Sequence, residues 1–212
     1  LRSALYRLRK AIGDRDATPP YLLITRQTLQ FNTRSAYHLD VTAFTGHVQT
    51  ARTHQHPRGA LCATCVQGLT EAAAIYRGDL MAGFSLDSAP FEAWIVVQRE
   101  AHHQQALWVL DQLAAHCEAN GALDQALTYA QRQVALEPWR EQAHRQWMRA
   151  LALSGQRPAA LAQYETCVQA LEEELGVGPE PATQALYAQI RDGALSPPIE
   201  PIPQPAPTEI PS

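Results

Sequence analysis

A period of 34 residues limits the folds open to this chain. Gly121, Ala126, Ala130 and Pro138 stand at offsets of zero, five, nine and seventeen, and Gly155, Ala160, Tyr164 and Glu172 repeat those offsets 34 positions later. The apolar positions ahead of each copy align as well, with Leu110, Leu113, Ala114 and Cys117 matching His144, Trp147, Met148 and Leu151. Such a period describes two helices joined by a turn, a unit that buries its apolar face only when another unit stacks on it. The second copy lacks the closing proline. Glu172-Glu-Glu174 and Leu175-Gly-Val-Gly-Pro179 take its place, the charge run reads as a solvated helix face, and a closing helix is predicted over 182–190.

Thirty-four residues is the tetratricopeptide spacing, so the chain is expected to be mainly α, a stack of antiparallel helix pairs. Upstream, Val41, Phe44, Val48 and Ala51 fit one helical stripe, and Leu61, Cys65, Leu69, Ala72 and Tyr76 fit a second over about 61–75. The two are expected to pair across a loop at 53–59. The stretch 76–84 reads as a glycine-punctuated loop whose apolar residues tuck back on the core. Asp87, Ser88, Pro90 and Glu92 carry the chemistry of a helix start.

The N-terminal segment is of another kind. Leu1, Leu5, Leu8 and Ile12 line one side of a helix that Gly13 stops, while Arg2, Ser3, Tyr6, Arg7 and Lys10 occupy the other, with Arg9 at the border. Two β-prone runs, 21–25 and 28–32, follow around Arg26-Gln27 and predict a hairpin with Arg26 at its tip. A basic helix followed by such a hairpin is the order of a DNA-recognition helix and its wing, the tip arginine suiting a minor groove. A solvated amphipathic helix and a generic surface hairpin are the alternatives. Charge is divided accordingly: residues 1–34 hold seven basic and two acidic groups, a net of +5, and the other 178 hold ten and nineteen, a net of −9. Polyanion binding is therefore expected only of the N-terminal segment.

No apolar run approaches the ~20 residues of a membrane span, and no basic-then-apolar leader opens the chain, so a cytoplasmic protein is expected. No phosphate loop, nucleophile elbow or HExxH run is present, and an enzyme is not expected. Four cysteines without an export signal are expected to be reduced. Cys117 and Cys167 fall on core faces of repeat helices. Cys62-Ala-Thr-Cys65 follows His54-Gln-His56 closely, and two thiolates with two imidazoles suit a tetrahedral structural zinc, although the histidine spacing fits no standard finger. The alternative places Cys65 in the core and the histidines in solvent. His102 and His103 are adjacent on one helix and point apart. Ser196 to Ser212 holds seven prolines and reads as an extended tail. With no initiator Met and a start in mid-helix, the chain reads as a fragment whose upstream part supplies a small sheet and the rest of a helix-turn-helix, and which binds DNA poorly without it.

The chain resembles the SARP/AfsR class of bacterial transcriptional regulators. The likeness rests on LRSALYRLRKAIG at 1–13, YLLITRQTLQFN at 21–32, YHLDVTAF at 37–44, YRGDLMAGFSLDSAPFEAW at 76–94, the run at 135–167 and ELGVGPEPATQALY at 174–187. The resemblance implies the end of an OmpR-type winged helix-turn-helix over 1–36, a bacterial transcriptional activator domain (BTAD) over 37–192 and a linker over 193–212. It further implies that Arg2, Ser3, Tyr6, Arg7 and Lys10 face double-stranded DNA, that Arg9 meets a phosphate, and that Arg26 is the wing residue, although Gln27-Thr28 stand where such wings often carry glycines. It implies dimerisation and contact with transcription machinery such as RNA polymerase for the helical domain, and a nucleotide-binding module beyond the tail. A repeat adaptor that binds protein and no DNA is the competing expectation, and a zinc-dependent sensor built on His54, His56, Cys62 and Cys65 is a third.

Overall fold

The computed structural model describes residues 2–56 and 60–195. Leu1 of the expected apolar stripe, residues 57–59 of the expected loop and the expected tail from Ser196 lie outside them. The chain divides into two compact units between Ala43 and Phe44.

The first unit holds α1 (Arg2–Ala11), the strands β1 (Leu22–Ile24) and β2 (Leu29–Phe31), and the first residues of α2 (Asp40–Thr53). α1 stops because Gly13 adopts φ 66°, a left-handed conformation that glycine enters without a Cβ penalty. That turn lets the Asp14 N–H reach back to the Arg9 carbonyl at 2.9 Å. β1 and β2 pair antiparallel in the register Leu22 with Phe31, Leu23 with Gln30 and Ile24 with Leu29. The two-residue turn lacks the glycine or asparagine that hairpins usually require there, and neither Arg26 nor Gln27 has a positive φ. Thr25 supplies the closure instead: its hydroxyl oxygen accepts the N–H groups of Gln27 at 3.2 Å and Thr28 at 2.9 Å, while its own N–H reaches the Thr28 carbonyl at 2.9 Å.

The residues this unit buries are polar ones, Asp14, Asn32 and Ser35. The apolar stripe of α1 is only partly covered: Leu5 is half-buried, and Leu8 and Ile12 are exposed. One helix and two three-residue strands present too little apolar surface to cover each other.

The second unit continues α2 and adds α3 (Ala63–Ile75), α4 (Ala89–Ala119), α5 (Leu123–Leu136), α6 (Glu141–Leu153), α7 (Arg157–Leu175) and α8 (Pro181–Arg191). From α3 onward each helix packs against its successor. The mainly helical fold is thus the expected stack, and its period is written in the backbone. Gly121 and Gly155, 34 residues apart, both take positive φ, and both turns close with the same bonds: Ala122 N–H to Cys117 carbonyl at 2.9 Å, and Gln156 N–H to Leu151 carbonyl at 2.8 Å. Small residues follow each turn because the paired helices approach closely there, so that Ala126, Ala130 and Ala160 are all buried.

Pro138 ends α5, since the residue before a proline is driven to extended geometry, and Glu137 lies at φ −136°, ψ 94°. α7 has no such proline. It runs to 19 residues against 14 for α5 and stops at Gly176 in the left-handed region. Glu172–Glu174 lie on its exposed side, as expected.

Phe44, Val48 and Ala51 of α2 share one core with Cys65, Leu69 and Ala72 of α3 and with Val109, Leu110 and Leu113 of α4. A fully buried leucine in such a core contributes roughly 1.5–3 kcal/mol. The 76–84 loop departs from expectation. Met81 and Phe84 are exposed rather than tucked inward, because Arg99 holds the loop by its backbone, donating to the carbonyls of Leu80 at 2.9 Å, Met81 at 2.8 Å and Phe84 at 3.2 Å.

Candidate functional site

In the first unit the candidate DNA-facing side chains of α1 are open to solvent: Arg2, Ser3, Tyr6, Arg7 and Lys10 are all exposed. Arg15, which the periodicity of α1 does not reach, joins them, its guanidinium lying 4.6 Å from the centre of the Tyr6 ring. Arg26 sits exposed at the hairpin turn. Arg9 differs from its neighbours. Its Nε donates to Asp14 Oδ2 at 2.6 Å, and the other oxygen, Oδ1, accepts the Leu22 N–H at 2.8 Å.

Asp14 therefore joins the end of α1 to the start of β1 and fixes the hairpin relative to the helix. Its side chain has no exposed surface. Burial alone would raise its carboxyl, but Arg9 and the Leu22 N–H outweigh that and hold it below the ordinary carboxylate value.

In the second unit the four sulfur and nitrogen candidates converge. One ligand atom each of His54, His56, Cys62 and Cys65 lies within 4.8 Å of all the others. His54 Nδ1 is 3.2 Å from Cys65 Sγ and 3.4 Å from Cys62 Sγ, and the two imidazole rings lie 4.9 Å apart. The elements bring this about: His54 follows directly on α2, with its N–H still bonded to the Thr50 carbonyl, while Cys62 is the N-cap of α3 and Cys65 stands in its first turn. No side-chain hydrogen bond caps α3 at Cys62, yet the backbone N–H of Cys65 lies near enough to draw the Cys62 thiol below its ordinary value. Cys65 is shifted the other way, first by its burial and then by Cys62.

The remaining candidates separate. His102 is buried near Phe44, while His103 reaches Glu137 at 3.2 Å, so the pair shares no site. Cys117 and Cys167 are buried as expected, and burial pushes the Cys167 thiol up to about 12. Sequence reasoning missed a buried polar chain in which Gln133 Nε2 donates to Gln146 Oε1 at 2.8 Å and Gln146 Nε2 to Asp111 Oδ1 at 2.8 Å. It also missed His144, whose Nε2 meets the Pro138 carbonyl at 2.8 Å and whose Nδ1 meets Gln163 Nε2 at 2.7 Å. His144 and Gln133 stand where the neighbouring copy carries Leu110 and Cys167, so the pattern hides them.

A stack of helix pairs preceded by a basic helix and hairpin defines a helical-repeat protein. The bacterial transcriptional activator domain family matches residues 39–191, and the chain belongs to that family. In solved structures the fold is similar to that of Mycobacterium tuberculosis EmbR in complex with a low affinity phosphopeptide, at 20% identity and a TM-score of 0.57, over 94% of this chain and 51% of that one. The chain thus spans about half the length of that relative. No curated protein matches it.

Proposed function

We propose that this chain is part of a SARP/AfsR-type transcriptional regulator in which α1 reads the major groove, the Arg26 turn acts as a wing, and the activator domain mediates dimerisation or contact with transcription machinery. The observation that carries the proposal is the exposed cationic face of Arg2, Arg7 and Lys10, together with an exposed Arg26 at the hairpin turn, in a segment of net charge +5 attached to an acidic remainder. Ser3 and Tyr6 complete the DNA-facing set. In this reading Arg9 can still lie near a phosphate, but its bond to Asp14 makes it first the residue that holds the wing to the helix.

A second reading, a protein-binding repeat without DNA contact, rests on the apolar side chains that α4 exposes, Trp94, Val96 and Val97. One experiment separates the two. Duplexes selected by the protein from a randomised DNA pool are bound again by Arg7→Ala and Arg26→Ala. The first reading predicts a loss of about 1–3 kcal/mol for Arg7→Ala, with relaxed base preference if it contacts a base edge, and a weaker, measurable loss for Arg26→Ala. Failure to select any duplex would support the repeat-only reading, and binding of a selected duplex left unchanged in both variants would show that Arg7 and Arg26 do not make the contact.

A further inference from the structure

We propose that His54, His56, Cys62 and Cys65 form a structural zinc site that staples the end of α2 to the start of α3. The four ligand atoms lie within 4.8 Å of one another, drawn from two helix ends and the segment between them. A tetrahedral zinc with Zn–S of about 2.3 Å and Zn–N of about 2.0 Å sets its ligand atoms roughly 3.3–3.8 Å apart. The 3.2 and 3.4 Å separations of His54 Nδ1 from the two sulfurs lie near the nitrogen–sulfur edge of that tetrahedron, about 3.5 Å, and the wider separations, up to 4.8 Å, close when the ion draws the ligands in.

A second observation points to a ligand independently. His56 Nε2 is buried and has no hydrogen-bond partner among the described residues, a condition that costs free energy unless something coordinates or bonds it. Histidine exposes a lone pair on one ring nitrogen when neutral, and a metal is the partner that lone pair suits.

The donor set decides the chemistry. Two sulfurs with two imidazoles favour a soft or borderline d-block cation over magnesium or calcium, and four protein ligands leave no open position for a substrate. The role is therefore structural. Binding replaces the two thiol protons, which leave to solvent, and the dianionic sulfur pair neutralises the dication.

The position gives the staple its consequence. Cys65 belongs to the core formed by Phe44, Val48 and Leu69, so metal bound there braces the last turn of α2 against the start of α3. The histidines precede and the cysteines follow the loop, and two helix ends meet at one ion. A dithiol without metal is the competing occupant of the same residues, because Cys-x-x-Cys at a helix start also suits a redox pair.

Untagged protein purified without chelator, and analysed for bound metal, tests the site. About one zinc per chain is expected, falling to background in Cys62→Ser and in His54→Ala. Replacement of the zinc by cobalt should give the intense visible bands of a tetrahedral sulfur-ligated ion. Chelation should lower the melting temperature of the wild type and leave that of Cys62→Ser unmoved. Zinc well below stoichiometry, no cobalt bands on titrating cobalt into reduced protein, and two freely titrating thiols at Cys62 and Cys65 would overturn the proposal in favour of the dithiol. The cobalt titration uses wild-type protein and so does not depend on any variant folding.

Discussion

His144 is fully buried between a carbonyl and an amide, and its protonation state follows from those two partners. The Pro138 carbonyl can only accept, so Nε2 carries the proton and donates. Nδ1 is left to accept from the Gln163 amide, which fixes the neutral tautomer. Burial pulls the imidazole below its ordinary 6.5, against the raising influence of the Pro138 carbonyl and Glu141. An unfolded chain takes up a proton near 6.5 where the folded one does not, so stability is fully present above that pH and falls as pH drops from 6.5 toward the folded value. The melting temperature is expected to fall between pH 7 and 5.5, with a smaller fall in His144→Gln. An equal fall in the variant would assign the acid sensitivity to other groups. Nothing in the sequence marks His144, because the matched residue of the preceding repeat is Leu110 and the period implies an apolar side chain at both.

Among the elements, α8 is docked largely through one carboxylate of α6, with Arg145 beside it. Glu141, at the first position of α6, accepts the Glu180 N–H on both oxygens at 3.0 and 2.9 Å and the Thr183 hydroxyl at 2.5 Å, while Arg145 donates to Thr183 at 2.9 Å. These bonds satisfy the start of α8, and Leu186 and Ile190 then reach the core shared with Met148 and Ala160. Glu141→Ala should cost about 1–3 kcal/mol, read as a lower urea midpoint with an unchanged slope. A change within about 0.5 kcal/mol would place it among ordinary surface substitutions.

The helices themselves were legible because their breaks were: Gly121, Pro138, Gly155 and Gly176 each stand where a helix stops. What was not legible is how elements are tied. The 76–84 loop reads as apolar and is held by Arg99, and the hairpin turn lacks glycine and is closed by Thr25, since hydrogen bonds to backbone atoms leave no periodic trace in sequence.

Over the whole molecule, charge and repeat divide the labour. The acidic 178-residue remainder would repel a polyanion, so any DNA contact falls to the cations of residues 1–34. Those cations were legible from helical spacing and from the two flanking β-prone runs. Arg15 was not, because it lies beyond the turn at Gly13 and meets Tyr6 only in three dimensions. The sulfur and nitrogen cluster was legible as a set of residue types but not as a geometry, since its spacing fits no standard finger and two helix ends assemble it.

In the proposed function, DNA is held through the cations of α1 and the hairpin. The salt dependence of the protein's affinity for a selected duplex tests that most directly. Four cations brought into the grooves, Arg2, Arg7, Lys10 and Arg26, release counterions from the duplex and predict a slope of log K against log salt of roughly −3 to −4. A slope near zero on a duplex that the protein binds would overturn the assignment of these four residues.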